Sequence, residues 1–393
     1  MKKLLLITGF LILFAAEILR VYFIMPFPGS QQANTINIAY FIDRNIWLIR
    51  LIAILLIAVP LYEVFTKSKW WLKILLGFIV ILYAGIFFLF NFKFLAEKMF
   101  YQPKHKNLVT LGNNKVDLGQ LVVGVAENGE ARAYPIEIIG YHHQVQDTIA
   151  GRPIIVTYCT VCRTGRIYSP MINGKKENFR LVGMDHFNAM FEDNTTKSWW
   201  MQATGEAVAG KLKGSALTEL PSQQMTLAAW LRKYPQSKIL QPDSVFNDHY
   251  KDLEGFDKGT IESSLEKRDS ASWQMKSWVI GVATTGYAKA YDWNELVNKK
   301  MIQDSLPNLP VLIWLEQDTA SFHVWSRNIN GQVLHFIKGA NNDLLDVNTH
   351  SVWNDDGVCV QGNLTGQQLR PVQASQEFWH SWQTFHPGTK YSP

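Results

Sequence analysis

The chain has 393 residues, is 47% hydrophobic and 13% aromatic, carries a net charge of +5 and contains three cysteines. That length predicts two or more domains, each able to bury a core, and the composition excludes a disordered, collagen-like or multiply disulfide-stapled chain. The basic surplus belongs to residues 1–100, with ten Lys/Arg against four Asp/Glu, whereas residues 101–393 hold 28 against 29 and all ten histidines, which argues against nucleic acid as a partner.

Residues 1–100 read as a membrane anchor. Three apolar runs, at about 4–25, 46–65 and 70–90, each reach the length of about 20 residues that a bilayer-spanning helix needs. A cleaved signal peptide does not fit the first run, which is too long, lacks a small-residue cleavage site and is followed by two more. Glu17 and Arg20 stand three apart on one helical face and are expected to neutralise each other in the membrane. Lys2 and Lys3 precede the first run, and Lys67, Lys69 and Lys73 crowd the second loop. The positive-inside rule puts both in the cytoplasm and everything after about residue 92 outside, with Lys93, Lys98, Lys104 and Lys106 pulling the other way.

The rest is written twice. VVGVAENGEARAY (122–134) returns as VIGVATTGYAKAY (279–291) at an offset of 157. DNTTKSWW (193–200) returns as DVNTHSVW (346–353), GEAVAGKLKG (205–214) as GVCVQGNLTG (357–366), and WLRKYP (230–235) as WQTFHP (382–387). Each copy opens with β-branched runs between Gly, Asn and Pro turns, and helical patterns are confined to about 135–140, 225–233, 292–300 and 376–384. The expected fold class is α+β, mainly β: two tandem β-rich copies behind the helical anchor. Residues 101–240 form the first copy, 241–277 a polar linker or surface excursion, and 278–393 the second copy.

Two of the three cysteines form a C-x-x-C in VTYCTVCRTGRIYS (156–169). Cys159 and Cys162, three residues apart in a tight turn, have the spacing for a disulfide or for two ligands to one metal, and Arg163 and Arg166 favour thiolate. Arg163-Thr164-Gly165 followed by renewed strand residues predicts a hairpin or knuckle, not the long helix of a thioredoxin. A four-cysteine zinc site is excluded, and Arg163 stands where c-type haem attachment needs His. HHQVQDTI and RPIIVTYC read as a hairpin around Ala150-Gly151. An even loop puts His142 opposite Cys159, and an odd one puts His143 there. At the 157 offset the second copy has Glu316, Thr319, Lys299 and Lys300 in place of Cys159, Cys162, His142 and His143. Shared residues therefore read as scaffold and the first-copy cysteines and histidines as site. Asp185-His186 reads as a polar turn, Cys359 as a small buried residue, and Trp199, Trp200, Trp353, Trp379 and Trp382 as core.

Over 121–391 the chain resembles the bacterial family called domain of unknown function 3179. The resemblance rests on ARAYP (131–135), HHQVQD (142–147), VTYCTVC (156–162) and TKSWWMQ (196–202). The family's common form has H-E-x-V-N-D and Y-C-P-L-C, so this sequence departs at His143, Gln146 and Thr160-Val161. Some relatives are labelled as candidate selenoproteins, which implies a redox role at a cysteine position. The apolar runs and the lysine asymmetry, together with resemblance to a bacterial family, imply an anchor in the bacterial inner (cytoplasmic) membrane, with the bilayer as partner and the C-terminal region extracytoplasmic. Three readings stand at this level. The first is a thiol/disulfide redox site of Cys159 and Cys162, tuned by His142, His143 and Arg163 and exchanging with an extracytoplasmic thiol protein, with no cofactor. The second is copper or zinc held by Cys159, Cys162, His142 and His143. The third is a non-catalytic structural or binding protein.

Overall fold

Unbroken apolar sequence at the N-terminus folds as three long helices. The computed structural model, which describes residues 2–339 and 343–392, places them at Lys2–Tyr22 (α1), Ile36–Lys67 (α2) and Trp70–Phe92 (α3). All three are long and apolar enough to cross a membrane. Their large apolar side chains are widely exposed, among them Trp47, Leu55, Trp70 and Ile81, as lipid-facing residues would be. α2 begins before the apolar run because its first turns carry polar residues that find partners.

Charges are paired across these helices and not along one. Arg50 of α2 makes a two-pronged bridge to Glu17 of α1, with Nε on Oε1 and Nη2 on Oε2, both at 2.7 Å. From α3, Asn91 Nδ2 donates to Glu17 Oε2 at 2.8 Å and the Tyr83 hydroxyl to Oε1 at 3.1 Å. Arg20 bonds Asp43 and Asn91 instead. The expected Glu17–Arg20 pair is thus replaced: an arginine on a facing helix presents its planar fork to both carboxylate oxygens, the stronger geometry for burying a charge.

The chain packs as two compact units, Met1–Tyr101 with Glu177–Ala216, and Gln102–Lys176 with Leu217–Pro393. In the first, strands Phe179–Asp185, Asn188–Asp193, Trp199–Met201 and Ala207–Ala209 form an antiparallel sheet in chain order. Met184 N–H donates to the Ile24 carbonyl at 2.8 Å, and the Tyr40 ring meets Trp199 edge-on at 5.1 Å. Gly183 lies so close to the α1 end that a Cβ there would stand 2.2 Å from the Ile24 oxygen.

The second unit is strand-rich. Strands Leu121–Glu127 and Glu130–Pro135 form a hairpin, helix Ile136–His142 follows, and Gln144–Ile149, Arg152–Cys159 and Thr164–Tyr168 make an antiparallel meander. Strand Gln223–Thr226 then returns onto Leu121–Glu127, leading into helix Leu227–Lys233. The same order recurs further along: Trp278–Thr284, Tyr287–Asp292, helix Trp293–Lys299, Met301–Leu306, Leu309–Leu315 and Phe322–Ser326, then Ser375–Phe378 and helix Trp379–Phe385. The four helical patterns expected from the sequence fall on these four helices.

Residues shared by the two stretches do matching mechanical work. A Cβ on Gly124 would lie 2.5 Å from the Trp230 ring, and one on Gly281 would lie 2.1 Å from Trp382. Only glycine lets each indole lie flat on its strand. Likewise Tyr134 donates to Asp147 at 2.7 Å beside Arg132, and Tyr291 donates to Asp304 at 2.9 Å beside Lys289. Cys359 sits in a core cluster with Trp353, and Trp199, Trp200, Trp379 and Trp382 are all buried, as expected of core residues.

Candidate functional site

The C-x-x-C lies on a hairpin turn. Cys159 ends its strand, pairing with Thr164. The turn between them is closed by Arg163 N–H donating to the Thr160 carbonyl at 3.2 Å, with Arg163 in the left-handed region at φ 56°. Gly165 follows where a Cβ would press on Val123 at 2.8 Å, so the strand resumes against the core without a helix. Both cysteines are fully buried, at 0% exposure.

Four residues distant in sequence clamp this turn. Lys276 Nζ donates to the carbonyl of Val161, inside the motif, and to that of Leu265, each at 2.7 Å. His380 Nε2 donates to the same Val161 oxygen at 3.1 Å, and the Phe378 N–H donates to the Cys162 carbonyl at 2.9 Å. Thr160 Oγ1 donates to Glu266 at 3.2 Å. Burial pushes the Lys276 ammonium below the usual lysine range, while negative charge on Cys162, then Cys159, Glu266 and Asp269, holds it up. Burial, helped by Lys276, depresses His380 to about 4, so its ring is neutral and donates from Nε2 at neutral pH.

His142 and His143 precede the strand that pairs with Arg152–Cys159, and the His143 carbonyl accepts from the Tyr158 N–H at 3.0 Å. The hairpin has the even register, with Gln144 opposite Thr157 and Ile149 opposite Arg152. Pairing as a strand begins only at Gln144, however. His142 is the last residue of helix Ile136–His142, and His143 is its left-handed cap at φ 60°. His142 Nε2 bonds the Tyr250 hydroxyl at 2.7 Å within a cage of Tyr141 and Phe246 rings. His143 Nδ1 bonds the Tyr141 carbonyl at 3.2 Å, and burial depresses it to about 4.

Arg163 spends its guanidinium elsewhere. Nε donates to Gln376 at 2.9 Å, Nη1 to the Phe256 carbonyl at 3.0 Å and Nη2 to that of Asp257 at 3.1 Å, with the Trp278 ring 3.8 Å away. Arg166 bridges Glu377 at 2.5 Å. Lys276 is a cation bonded to the backbone between the cysteines. Among the described residues, no group of three or more His, Cys, Asp or Glu side chains is placed to hold a metal ion, so the zinc or copper set of Cys159, Cys162, His142 and His143 is not assembled. Asp185 and His186 pair with each other at 3.0 Å in the other unit.

Lys276 and His380 carry no motif, yet one signal marks them. At the 157 offset Lys276 corresponds to Gly119, and at the 152 offset that aligns Trp382 with Trp230, His380 corresponds to Ala228. His380, like the cysteines, occurs in one copy and not in the other, and Lys276 stands just ahead of the second copy, where Gly119 stands ahead of the first.

A family model described as "Protein of unknown function (DUF3179)" matches residues 102–389. The chain belongs to this family. Its DUF3179 region contains the Cys159–Cys162 turn, Lys276 and His380 together, and begins just beyond the three apolar helices. No curated protein and no solved structure matches the chain.

Proposed function

We propose that this DUF3179 protein is a membrane-anchored thiol/disulfide redox protein of the bacterial inner membrane, with its strand-rich part extracytoplasmic and Cys159 and Cys162 as the exchanging pair. The observation that carries the reading is the part-buried ammonium of Lys276, pinned to the carbonyl of Val161 between the two cysteines. A positive charge in a low-dielectric setting favours thiolate over thiol, the form that attacks a disulfide. Arrangement of the same elements in two stretches supports descent from a duplicated unit in which one half kept the dithiol.

In the exchange, the turn opens and the Cys162 thiolate attacks one sulfur of a partner protein's disulfide; the same steps run with the two cysteines interchanged. A mixed disulfide forms and the partner's other sulfur leaves as thiolate. Cys159, deprotonated, attacks the Cys162 sulfur, closing the Cys159–Cys162 disulfide and releasing the partner's second thiolate. Two electrons pass from this dithiol to the partner, and the reverse sequence oxidises a partner dithiol. His142, His143 and Arg163 act as positioning residues through the helix and turn that carry the motif.

The test uses the full chain in detergent micelles, with thiols quantified after equilibration in reduced and oxidised glutathione and metal content measured in parallel. A reversible two-thiol change lost in Cys159→Ser supports the reading. One equivalent of bound copper or zinc, lost in the same variant, or a bridge that no reductant opens, overturns it.

A further inference from the structure

A cavity of about 480 Å³ lies within the strand-rich unit, walled by Asp257 and Lys258 on one side and by Arg268, Trp278 and the helix Trp293–Lys299 on the other. Its volume is in the range of small-molecule sites. Three lining residues each carry a buried polar atom with no hydrogen-bond partner: Asp257 Oδ1, Arg268 Nε and Trp278 Nε1. Asp257 and Trp278 are only 8% and 6% exposed. Buried orphans of this kind are rare in folded proteins because each has lost its water without replacement. These are two donors and one acceptor, on residues that line one cavity.

The Arg163 and Arg268 guanidinium groups both lie over the Trp278 ring, at 3.8 and 4.1 Å, and Lys258 adds a third cation. Burial disfavours the charge on Arg268, and Arg163 disfavours it further, with Asp292 as its opposing carboxylate. Asp318 is spoken for by Ser321, Ala320 and Thr226. Asp257 has one oxygen held by the Leu121 N–H at 2.7 Å and the other open. Cations and carboxylates balance on this wall, so what it leaves unmet is hydrogen bonding, at Arg268 Nε, Trp278 Nε1 and Asp257 Oδ1. Val297 and Trp293 supply apolar surface beside it.

We propose that this cavity binds a small organic carboxylate with an apolar body and a hydroxyl or amino group next to the carboxylate. Arg268 Nε and Trp278 Nε1 donate to the carboxylate, Lys258 balances its charge, and the adjoining hydroxyl or amino group donates to Asp257 Oδ1. The apolar body rests on Val297 and Trp293. This assignment is independent of the dithiol chemistry.

The full chain in detergent is titrated calorimetrically with 3-phenyllactate, phenylalanine, 3-phenylpropionate and inorganic phosphate. Binding of 3-phenyllactate identifies a hydroxy acid and binding of phenylalanine an amino acid. 3-Phenylpropionate, which cannot satisfy Asp257, should bind at least about tenfold more weakly. Arg268→Leu should weaken the preferred ligand by at least about tenfold, and Val297→Trp, which fills the cavity from its apolar side, should abolish binding even if Arg268→Leu fails to fold. Failure of both 3-phenyllactate and phenylalanine to bind, equal binding of 3-phenylpropionate, binding of phosphate alone, or ligand binding unchanged in Val297→Trp overturns the proposal.

Discussion

Lys276 donates a 2.7 Å hydrogen bond to the carbonyl of Val161, a residue inside the Cys159–Cys162 turn. One cation thereby holds the backbone between the two sulfurs, and under the proposed redox function it supplies the positive charge that thiolates need. Lys276→Met should raise the pH at which the pair becomes reactive and slow disulfide exchange at neutral pH by about tenfold, with partial recovery in Lys276→Arg. The rate of mixed-disulfide formation with a small disulfide, measured against pH, checks this. A purely structural lysine would change stability and leave that profile in place.

Buried titratable groups set opposite pH trends. Burial raises Glu377 to about 7 despite Arg166, so the folded state holds its proton more tightly than the unfolded chain, and the resulting stability is lost as pH rises toward 7. Burial lowers His380 to about 4, so its contribution is present above the unfolded value near 6.5 and is lost as pH falls toward 4. Relative to wild type, Glu377→Gln should gain stability between about pH 4.5 and 7, and His380→Gln should gain it as pH drops from about 6.5 to 4. Thermal melts across pH read both slopes.

Gly124 is required by the Trp230 ring that covers it. Gly124→Ala should cost about 1–3 kcal/mol through overpacking. Gly112→Ala, at a position with nothing within 4 Å, should stay within about 0.5 kcal/mol. Chemical denaturation of the two variants gives the comparison.

Glu17 and Arg50 depend on each other. Removing either partner, in Glu17→Leu or Arg50→Leu, leaves a buried charge uncompensated and should destabilise the helical unit by about 3–5 kcal/mol, whereas the double variant should recover most of that loss. Resistance of the purified protein to unfolding in mixed detergent reports it.

Much of this architecture is legible in local pattern. Apolar length marks α1 to α3, and the Ala150-Gly151 turn sets the even hairpin register that Gln144 and Thr157 show. What local pattern does not show is decided by tertiary partners. His142 is held by Tyr250, 108 residues away, and Arg163 by Gln376, 213 residues away. Arg20 lost Glu17 to Arg50 because the facing helix offers a bidentate geometry that helical spacing does not. Lys276 sits in a polar excursion without periodicity. Only the comparison of the two stretches distinguishes it, since Gly119 stands at the matching position.

The most direct measurement of the central claim is the equilibrium potential of the Cys159–Cys162 pair in the full chain, read by gel shift of alkylated thiols across a series of glutathione ratios. The account predicts a single two-electron transition lying above about −300 mV, the region of exchanging pairs, and shifting when Lys276 is replaced by Met. Thiols that stay reduced at every ratio, or a bridge that remains closed at every ratio, would contradict it.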